Sequence, residues 1–378
     1  AQALAAPYGV APERDGGEGG DAPFSTVVAQ PDRDGATGVA IDVGSTTVAG
    51  HLCDLQSGEV VASDGLMNPQ IRYGEDVMSR VSHSMMNPGG AEELTAAVRE
   101  GLNALVVGLA EEAGIDRATI LDAAFVMNPV MHHLFLGLDP FELGQAPFAL
   151  ATSDSLSLAA RELDLTTIHP SARVYVLPCI AGHVGADAAA VALSEAPDRS
   201  DDLTLVVDVG TNAEILLGNT TRVLACSSPT GPAFEGAQIS SGQRAAPGAI
   251  ERVEIDSDTK EPRFRVIGCD LWSDENGFTE ATAATGITGI CGSGIIDAVA
   301  ELYRVGIVTS DGRFDSSKAS PYLDFSTGHA QYHLTLGTRE GERPIPISQE
   351  DVRQIQLAKA PLYVASRYLL KAFGVDHP

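Results

Sequence analysis

The chain is poor in lysine. Of its 378 residues only Lys260, Lys318, Lys359 and Lys371 are lysines, and none follows a glycine-rich loop. A P-loop places a lysine there to hold the terminal phosphates of a nucleotide, so that class of ATPase is excluded. Basic residues are scarce overall: 24 Lys and Arg stand against 51 Asp and Glu, a formal net charge of -27. A surface of that sign repels phosphate backbones, which argues against a nucleic-acid partner. Cysteine is sparse too. Cys53, Cys179, Cys226, Cys269 and Cys291 are scattered and form no Cys-x-x-Cys pair. A structural zinc site or an iron–sulfur cluster needs grouped thiolates, so any redox centre is expected outside this chain. No stretch is apolar for long enough to span a bilayer, which argues against a membrane partner. The chain opens at Ala1 with neither a methionine nor a signal-peptide pattern, and reads as a cytoplasmic protein trimmed at its front.

What is present is an ordinary globular composition, long enough for two lobes with their own cores. Residues 1–37 are rich in Gly, Ala, Asp and Pro and read as a flexible linker left from a removed N-terminal region. Strand-like runs at 39–43, 48–55 and 59–66 are separated by turn sequences and predict an antiparallel meander. Helical periodicity marks 91–113, and 120–127 and 174–177 read as buried strands. An alanine-rich helix is expected at 185–193. A second meander follows at 203–209, 214–217 and 222–227, and helices at 293–305 and 349–373. Pro361 is expected to kink or interrupt the last of these.

The second meander repeats the first. Ile41-Asp42-Val43-Gly44-Ser45-Thr46 matches Val207-Asp208-Val209-Gly210-Thr211-Asn212, 166 residues further on. That period is too long for a solenoid and suits duplicated lobes, here 38–200 and 201–378. Each copy ends a hydrophobic strand with an aspartate, then a glycine, then hydroxyl residues. The glycine lets the backbone turn tightly, so that successive N–H groups can cradle phosphate oxygens. Ser45, Thr46, Thr47 and Thr211 add hydroxyls. Asp42 and Asp208 are too negative to touch phosphate and are suited to holding magnesium through water. One such loop alone is as readily a hairpin turn with a solvated aspartate; two matched copies point to ATP with magnesium.

Further residues extend the candidate site. Asp187 opens the alanine-rich helix, either as a plain N-terminal charge or as a third acidic group at the magnesium or attacking water. Gly292, Ser293 and Gly294 precede a helix and suit close approach of a nucleoside. Gln356 and Lys359 share a face of the last helix and are candidates to reach the nucleotide. Residues 225–248, with Ser227, Ser228, Glu235, Ser240, Ser241 and Arg244, lack core periodicity. They read as a loop beneath the nucleotide or, in their outer part, as a contact for a partner.

These strings resemble one group within the actin-like ATPase superfamily, the reductive activators of corrinoid proteins. The likeness runs from Gly38 onward. It is carried by 41–47, by Asn68-Pro69-Gln70 with Gly74-Glu75-Asp76-Val77, and by 131–140, 181–187, 231–237, 244–250, 289–297 and 355–359. The resemblance implies an α/β, two-lobed actin-like (ribonuclease H-like) ATPase fold. It implies an enzyme that uses ATP to return Co(II) to Co(I) in a corrinoid methyltransferase or corrinoid protein, with the electron arriving through an N-terminal iron–sulfur domain. Three departures stand out: no cluster domain is expected within these residues, the second lobe is expected to be incomplete beyond Pro378, and Asn128-Pro129-Val130 stands where a Gly-Asn-Thr-like loop is usual. A small-molecule kinase of the same superfamily and a nucleotide-switched chaperone are the alternatives that the fold alone would allow.

Overall fold

Alternating apolar residues fold the first part of the chain into a twisted sheet. In the computed structural model of the protein, which describes residues 35–326, 330–337 and 343–375, β1 (Thr37–Val43), β2 (Thr47–Asp54) and β3 (Val60–Met67) form the expected antiparallel meander. The linker expected over 1–37 falls almost wholly outside the described residues. Helices α1 (Val77–Met86) and α2 (Gly90–Ala113) lead to β4 (Ile120–Met127), which pairs parallel with β1. After α3 (Pro129–Leu136), β5 (Leu156–Ala159) and β6 (Arg173–Val176) complete the order β3-β2-β1-β4-β6-β5, with β6 parallel to β4. The carboxyl ends of β1, β4 and β6 therefore share one edge, the edge at which open α/β sheets bind ligands. Helix α4 (Ala186–Glu195) leaves from it.

Packing holds that edge in place. Leu94, Val98, Leu102, Leu105 and Leu109 recur at helical spacing on α2 and are fully buried in the same core as Val39, Ile41 and Val43 of β1. Each such side chain contributes about 1.5–3 kcal/mol of burial. Gly50 of β2 lets α2 lie close, because a Cβ there would come within 2.9 Å of Leu105.

The chain divides into two compact units, Ala1–Ser200 and Asp201–Pro378. In the second, β7 (Thr204–Val209), β8 (Asn212–Asn219) and β9 (Arg222–Pro229) repeat the meander. Then come β10 (Ala249–Ile255), β11 (Pro262–Val266), the single-turn α5 (Phe278–Ala281), β12 (Gly289–Ile290) and α6 (Gly292–Arg304). A small sheet of β13 (Leu323–Asp324), β14 (Gln331–Thr335) and β15 (Ile345–Ser348) precedes α7 (Gln349–Phe373). That helix starts in a capping box between Ser348 and Asp351 and continues through Pro361 as one element, so the expected interruption does not occur.

The two meanders differ in burial. Val39, Ile41 and Val43 are 0–2% exposed, whereas their counterparts Leu205, Val207 and Val209 are 45%, 39% and 43% exposed. The reason is topological: β1 has β4 beside it, while β7 is the end strand of its sheet among the described residues.

Helix α3 buries two histidines. His133 is fixed as the Nδ1–H tautomer, since Nδ1 lies 2.8 Å from the Pro129 carbonyl and Nε2 accepts the Ala151 amide at 2.9 Å. His132 is fully buried, and burial, reinforced by His133, pushes its pKa from 6.5 down to about 4. Between those values the unfolded chain binds the proton and the folded chain does not, so stability is lost as pH falls through that window. The shift corresponds to roughly 3 kcal/mol. Urea titrations at pH 7.5 and pH 4.5 are expected to show a smaller acid loss for His132→Leu than for the unaltered protein. Equal losses would mean that His132 titrates normally.

Candidate functional site

The first loop joins β1 to β2 through Gly44, Ser45 and Thr46. Asp42 is exposed at the strand end, and Thr47 opens β2 with its side chain outward. Gly44 has no room for a side chain, since a Cβ would lie 2.5 Å from the Thr47 carbonyl. Beneath the loop, two buried polar residues hold its carbonyls. The Asn68 side-chain amide donates to the Gly44 carbonyl at 2.8 Å, and its backbone N–H donates to the Thr46 carbonyl at 2.9 Å. The Arg80 guanidinium donates to the Ser45 carbonyl. In a trans peptide the N–H points opposite to the preceding C=O. Fixing the carbonyls of 44, 45 and 46 inward therefore turns the amides of Ser45, Thr46 and Thr47 to the other side. Three successive donors in one direction form an anion cradle.

Arg80 is 0% exposed and also donates to the Gly74 carbonyl at 3.0 Å and to Gln70 Oε1 at 3.2 Å. Burial lowers its pKa to about 10, partly offset by Asp76, so it remains a cation at neutral pH. Asn68 and Gln70 are themselves fully buried, and Gln70 donates to the Leu94 carbonyl at 2.8 Å. The loop is thus bolted to α2 through a chain of satisfied buried polar groups.

The second loop is held by an analogous device. Thr230 follows β9 as Asn68 follows β3. Its hydroxyl lies 2.6 Å from the Gly210 carbonyl and 3.0 Å from the Thr211 carbonyl, and the Gly231 amide donates to Thr211 at 3.0 Å. The amides of Thr211 and Asn212 are turned the opposite way by the same rule. Asp208 stands opposite Glu214 in the β7–β8 ladder, which sets two carboxylates on one face of the sheet. Desolvation raises the Asp208 pKa above the usual carboxylate value, partly offset by the Val209 amide. Thr211 donates its hydroxyl proton to Glu235 Oε1 at 2.5 Å.

The remaining candidates are placed as follows. Asp187 is half-buried in the first turn of α4 and accepts the Ala188 amide at 2.8 Å. A Cβ on Gly185 would meet the Met127 carbonyl at 2.6 Å, so this turn abuts the end of β4, one strand from the Asp42 loop. His183 is exposed and lies against the Phe148 ring, 4.3 Å between centroids. Asn128 caps α3 by accepting the Met131 amide at 3.0 Å. Close backbone packing accounts for Gly292 and Gly294: added Cβ atoms would lie 1.7 Å from the Phe234 carbonyl and 2.2 Å from the Ile250 carbonyl. Their lack of side chains therefore has an internal cause, and Ser293 is left as the polar side chain at the start of α6. Gln356 is half-buried against the turn at Asp311-Gly312, its amide 3.4 Å from the Asp311 carbonyl, while Lys359 is exposed.

The stretch 225–248 is not one loop. Ser227 and Ser228 belong to β9, with Ser227 donating to Glu214 at 3.0 Å. Ser240 is tied to the buried Asp351 at the start of α7, its amide donating at 2.7 Å. The strand expected over 222–227 is β9, which runs on through Ser228 to Pro229. Asn68, Arg80, Glu214 and Thr230 were missed as site residues. The detectable signal was that Asn68-Pro69-Gln70 and Gly74-Glu75-Asp76-Val77 flank a helix start with more polar residues than a buried segment needs.

Comparison with known proteins agrees on one family. Residues 37–199 match the family described as the RACo middle region, and residues 202–378 match the C-terminal domain of RACo, the ASKHA domain. The chain is 34% identical over 346 residues to the corrinoid activation enzyme RamQ of Eubacterium limosum, covering 89% of this chain and 55% of that protein. It is 25% identical over 357 residues to a [Co(II) methylated amine-specific corrinoid protein] reductase of Methanosarcina barkeri, covering 90% and 60%. A solved structure titled as a reductive activator for corrinoid, iron–sulfur protein superposes with a TM-score of 0.78 at 33% identity, covering 90% of this chain and 52% of that one. The chain thus spans about half the length of the relatives it matches.

The tethers make a direct prediction. Asn68→Ala leaves the buried Gly44 carbonyl without its donor, and Arg80→Lys cannot reproduce the guanidinium fork. Each is expected to lower unfolding free energy by about 1–3 kcal/mol in chemical denaturation. Changes within a few tenths would show that the loop keeps its shape unaided.

Proposed function

The chain belongs to the RACo family, carrying its middle region and its C-terminal ASKHA domain, and on that footing we propose that it is the nucleotide-driven part of a reductive activator of corrinoid proteins. The reaction is ATP-dependent return of a corrinoid cofactor from Co(II) to Co(I), with a corrinoid protein or corrinoid methyltransferase as partner. The names of the two curated relatives support the corrinoid substrate. The observation that carries the nucleotide half is the duplicated, carbonyl-tethered loop, since amides aimed outward from a rigid turn suit phosphate oxygens.

Within this reading Ser45, Thr46, Thr47, Thr211 and Asn212 donate to phosphate oxygens through their amides. Magnesium fits the residues present. It keeps most of its waters and takes one or two carboxylates with the substrate's phosphates. Asp208, exposed at the strand end and opposite Glu214, is a carboxylate placed to meet a divalent cation. Asp42 holds the matching place on the first loop. Among the described residues no three His, Cys, Asp or Glu side chains converge on a cation, so the nucleotide supplies the remaining ligands. Bound there, the ion offsets triphosphate charge. Ser293, Gln356 and Lys359 remain candidates for the nucleoside end, and Asp187 for a third acidic group.

The five cysteines do not fit an iron–sulfur cluster. Cys53, Cys179 and Cys291 are buried, burial together with Asp187 raises the Cys179 thiol to about 12, and no group of three thiolates forms among the described residues. The electron is therefore proposed to come from a centre outside these residues, as the family resemblance implies. No described helix is long and apolar enough to cross a membrane. Five free thiols suit a reducing compartment, which supports a cytoplasmic site.

Asp42→Ala and Asp208→Asn, each in the full-length protein, are expected to abolish ATP-dependent Co(II) reduction while leaving circular dichroism unchanged. Full reductive activity in both variants would remove the assignment of the loops.

A further inference from the structure

We propose that Glu235 is the catalytic base of ATP hydrolysis in this protein, aimed by Thr211. The inference rests on the reading of the second loop as a phosphate cradle and extends it to the chemical step. Three observations carry it.

The first is position. Glu235 ends the single turn Pro232–Glu235 that follows β9, and its Oε1 lies 3.8 Å from where a Cβ on Gly210 would be. It therefore reaches the cradle itself, from a segment that reads in the sequence as a loop beneath the nucleotide or, in its outer part, as a contact for a partner.

The second is proton inventory. A threonine hydroxyl has one proton, and Thr211 gives it to Glu235 Oε1. The hydroxyl can then only accept, so its free lone pair faces a water or a cation and not a phosphate oxygen. Oε2 of the same carboxylate stays available for a water proton. A half-buried acid beside a phosphate cradle, with one oxygen held by Thr211, has the makings of a base that orients the nucleophile.

The third is rigidity. The turn is clamped from behind, because Gly292 at the start of α6 presses directly on the Phe234 carbonyl. Gly236 completes the turn with φ 81°, a conformation that favours glycine. On the far side Ser240 is tied to the buried Asp351. A carboxylate held at both flanks loses little freedom when water binds.

In the step, water oxygen attacks the γ-phosphorus as the bond to the β–γ bridging oxygen breaks. The bridging oxygen keeps the bonding pair and leaves on ADP. The water proton passes to Glu235 Oε2 and then to solvent, so the balance is ATP and water giving ADP, phosphate and one proton.

The test is Glu235→Gln in the full-length protein. Glutamine keeps an acceptor for Thr211 and the shape of the turn but cannot take the proton. Affinity for magnesium with a fluorescent ATP analogue is expected to stay within about threefold of the unaltered protein, with single-turnover hydrolysis reduced at least 50-fold. Thermal unfolding is expected to be unchanged. Hydrolysis within threefold of the unaltered protein would overturn the proposal and leave Glu235 a tether for Thr211. Loss of nucleotide affinity in parallel with hydrolysis would also overturn it, by making Glu235 a binding group. Failure of the unaltered protein to bind the analogue would defeat the reading of the loop and this inference with it.

Discussion

A short loop can face phosphate only if its carbonyls face something else. In the first unit that something is the buried pair Asn68 and Arg80, which take the carbonyls of Gly44, Ser45 and Thr46. The arrangement is demanding. A guanidinium with no exposed surface must have its donors satisfied by neutral oxygens, here those of Ser45, Gly74 and Gln70. An unsatisfied buried donor costs about 1–3 kcal/mol, so each partner constrains the next. Gln70 is in turn fixed by the Leu94 carbonyl on α2. The Leu94 carbonyl of that helix is thus linked to the loop through Gln70 and Arg80.

The same problem is solved more cheaply in the second unit, where the Thr230 hydroxyl lies within hydrogen-bonding reach of two carbonyls and the Gly231 amide takes the second of them as well. What differs is the acidic side. The first loop has Asp42 opposite Ala49, while the second has Asp208 opposite Glu214 and a further carboxylate at Glu235. Duplication has therefore kept the cradle and changed the charge around it. The second unit concentrates the groups able to hold a cation or take a proton, and the same segment is clamped by the start of α6 and by Asp351. Those contacts join Glu235 and its turn to α6 and α7 within that unit.

Much of this was legible in the sequence. The two meanders and their aspartates announce themselves by repetition, because strand alternation and turn residues are local properties. The helix stripe on α2 is equally local. The support beneath the loops was not legible, since Asn68 and Arg80 act on residues 24 and 35 positions away and a buried arginine looks like any surface arginine in a string of letters. Gly292 and Gly294 show that one residue pattern can have two causes. A glycine run before a helix suggested ligand contact, but backbone packing against Phe234 and Ile250 already requires it. Pro361 was expected to kink or interrupt α7, and the helix runs through it as one element. The strand read over 222–227 stops one residue short of Ser228, which the structure places in β9.

The claim at the centre is that, in each unit, tethered carbonyls turn the amides of the loop outward, where they suit phosphate oxygens. Hydrogen–deuterium exchange of the full-length protein, with and without magnesium and a non-hydrolysable ATP analogue, addresses those amides themselves. Peptides containing Ser45–Thr47 and Thr211–Asn212 are expected to slow markedly at saturating nucleotide, while the buried strands β2 and β8 change little. Saturable binding with unchanged exchange in both loop peptides would contradict the account.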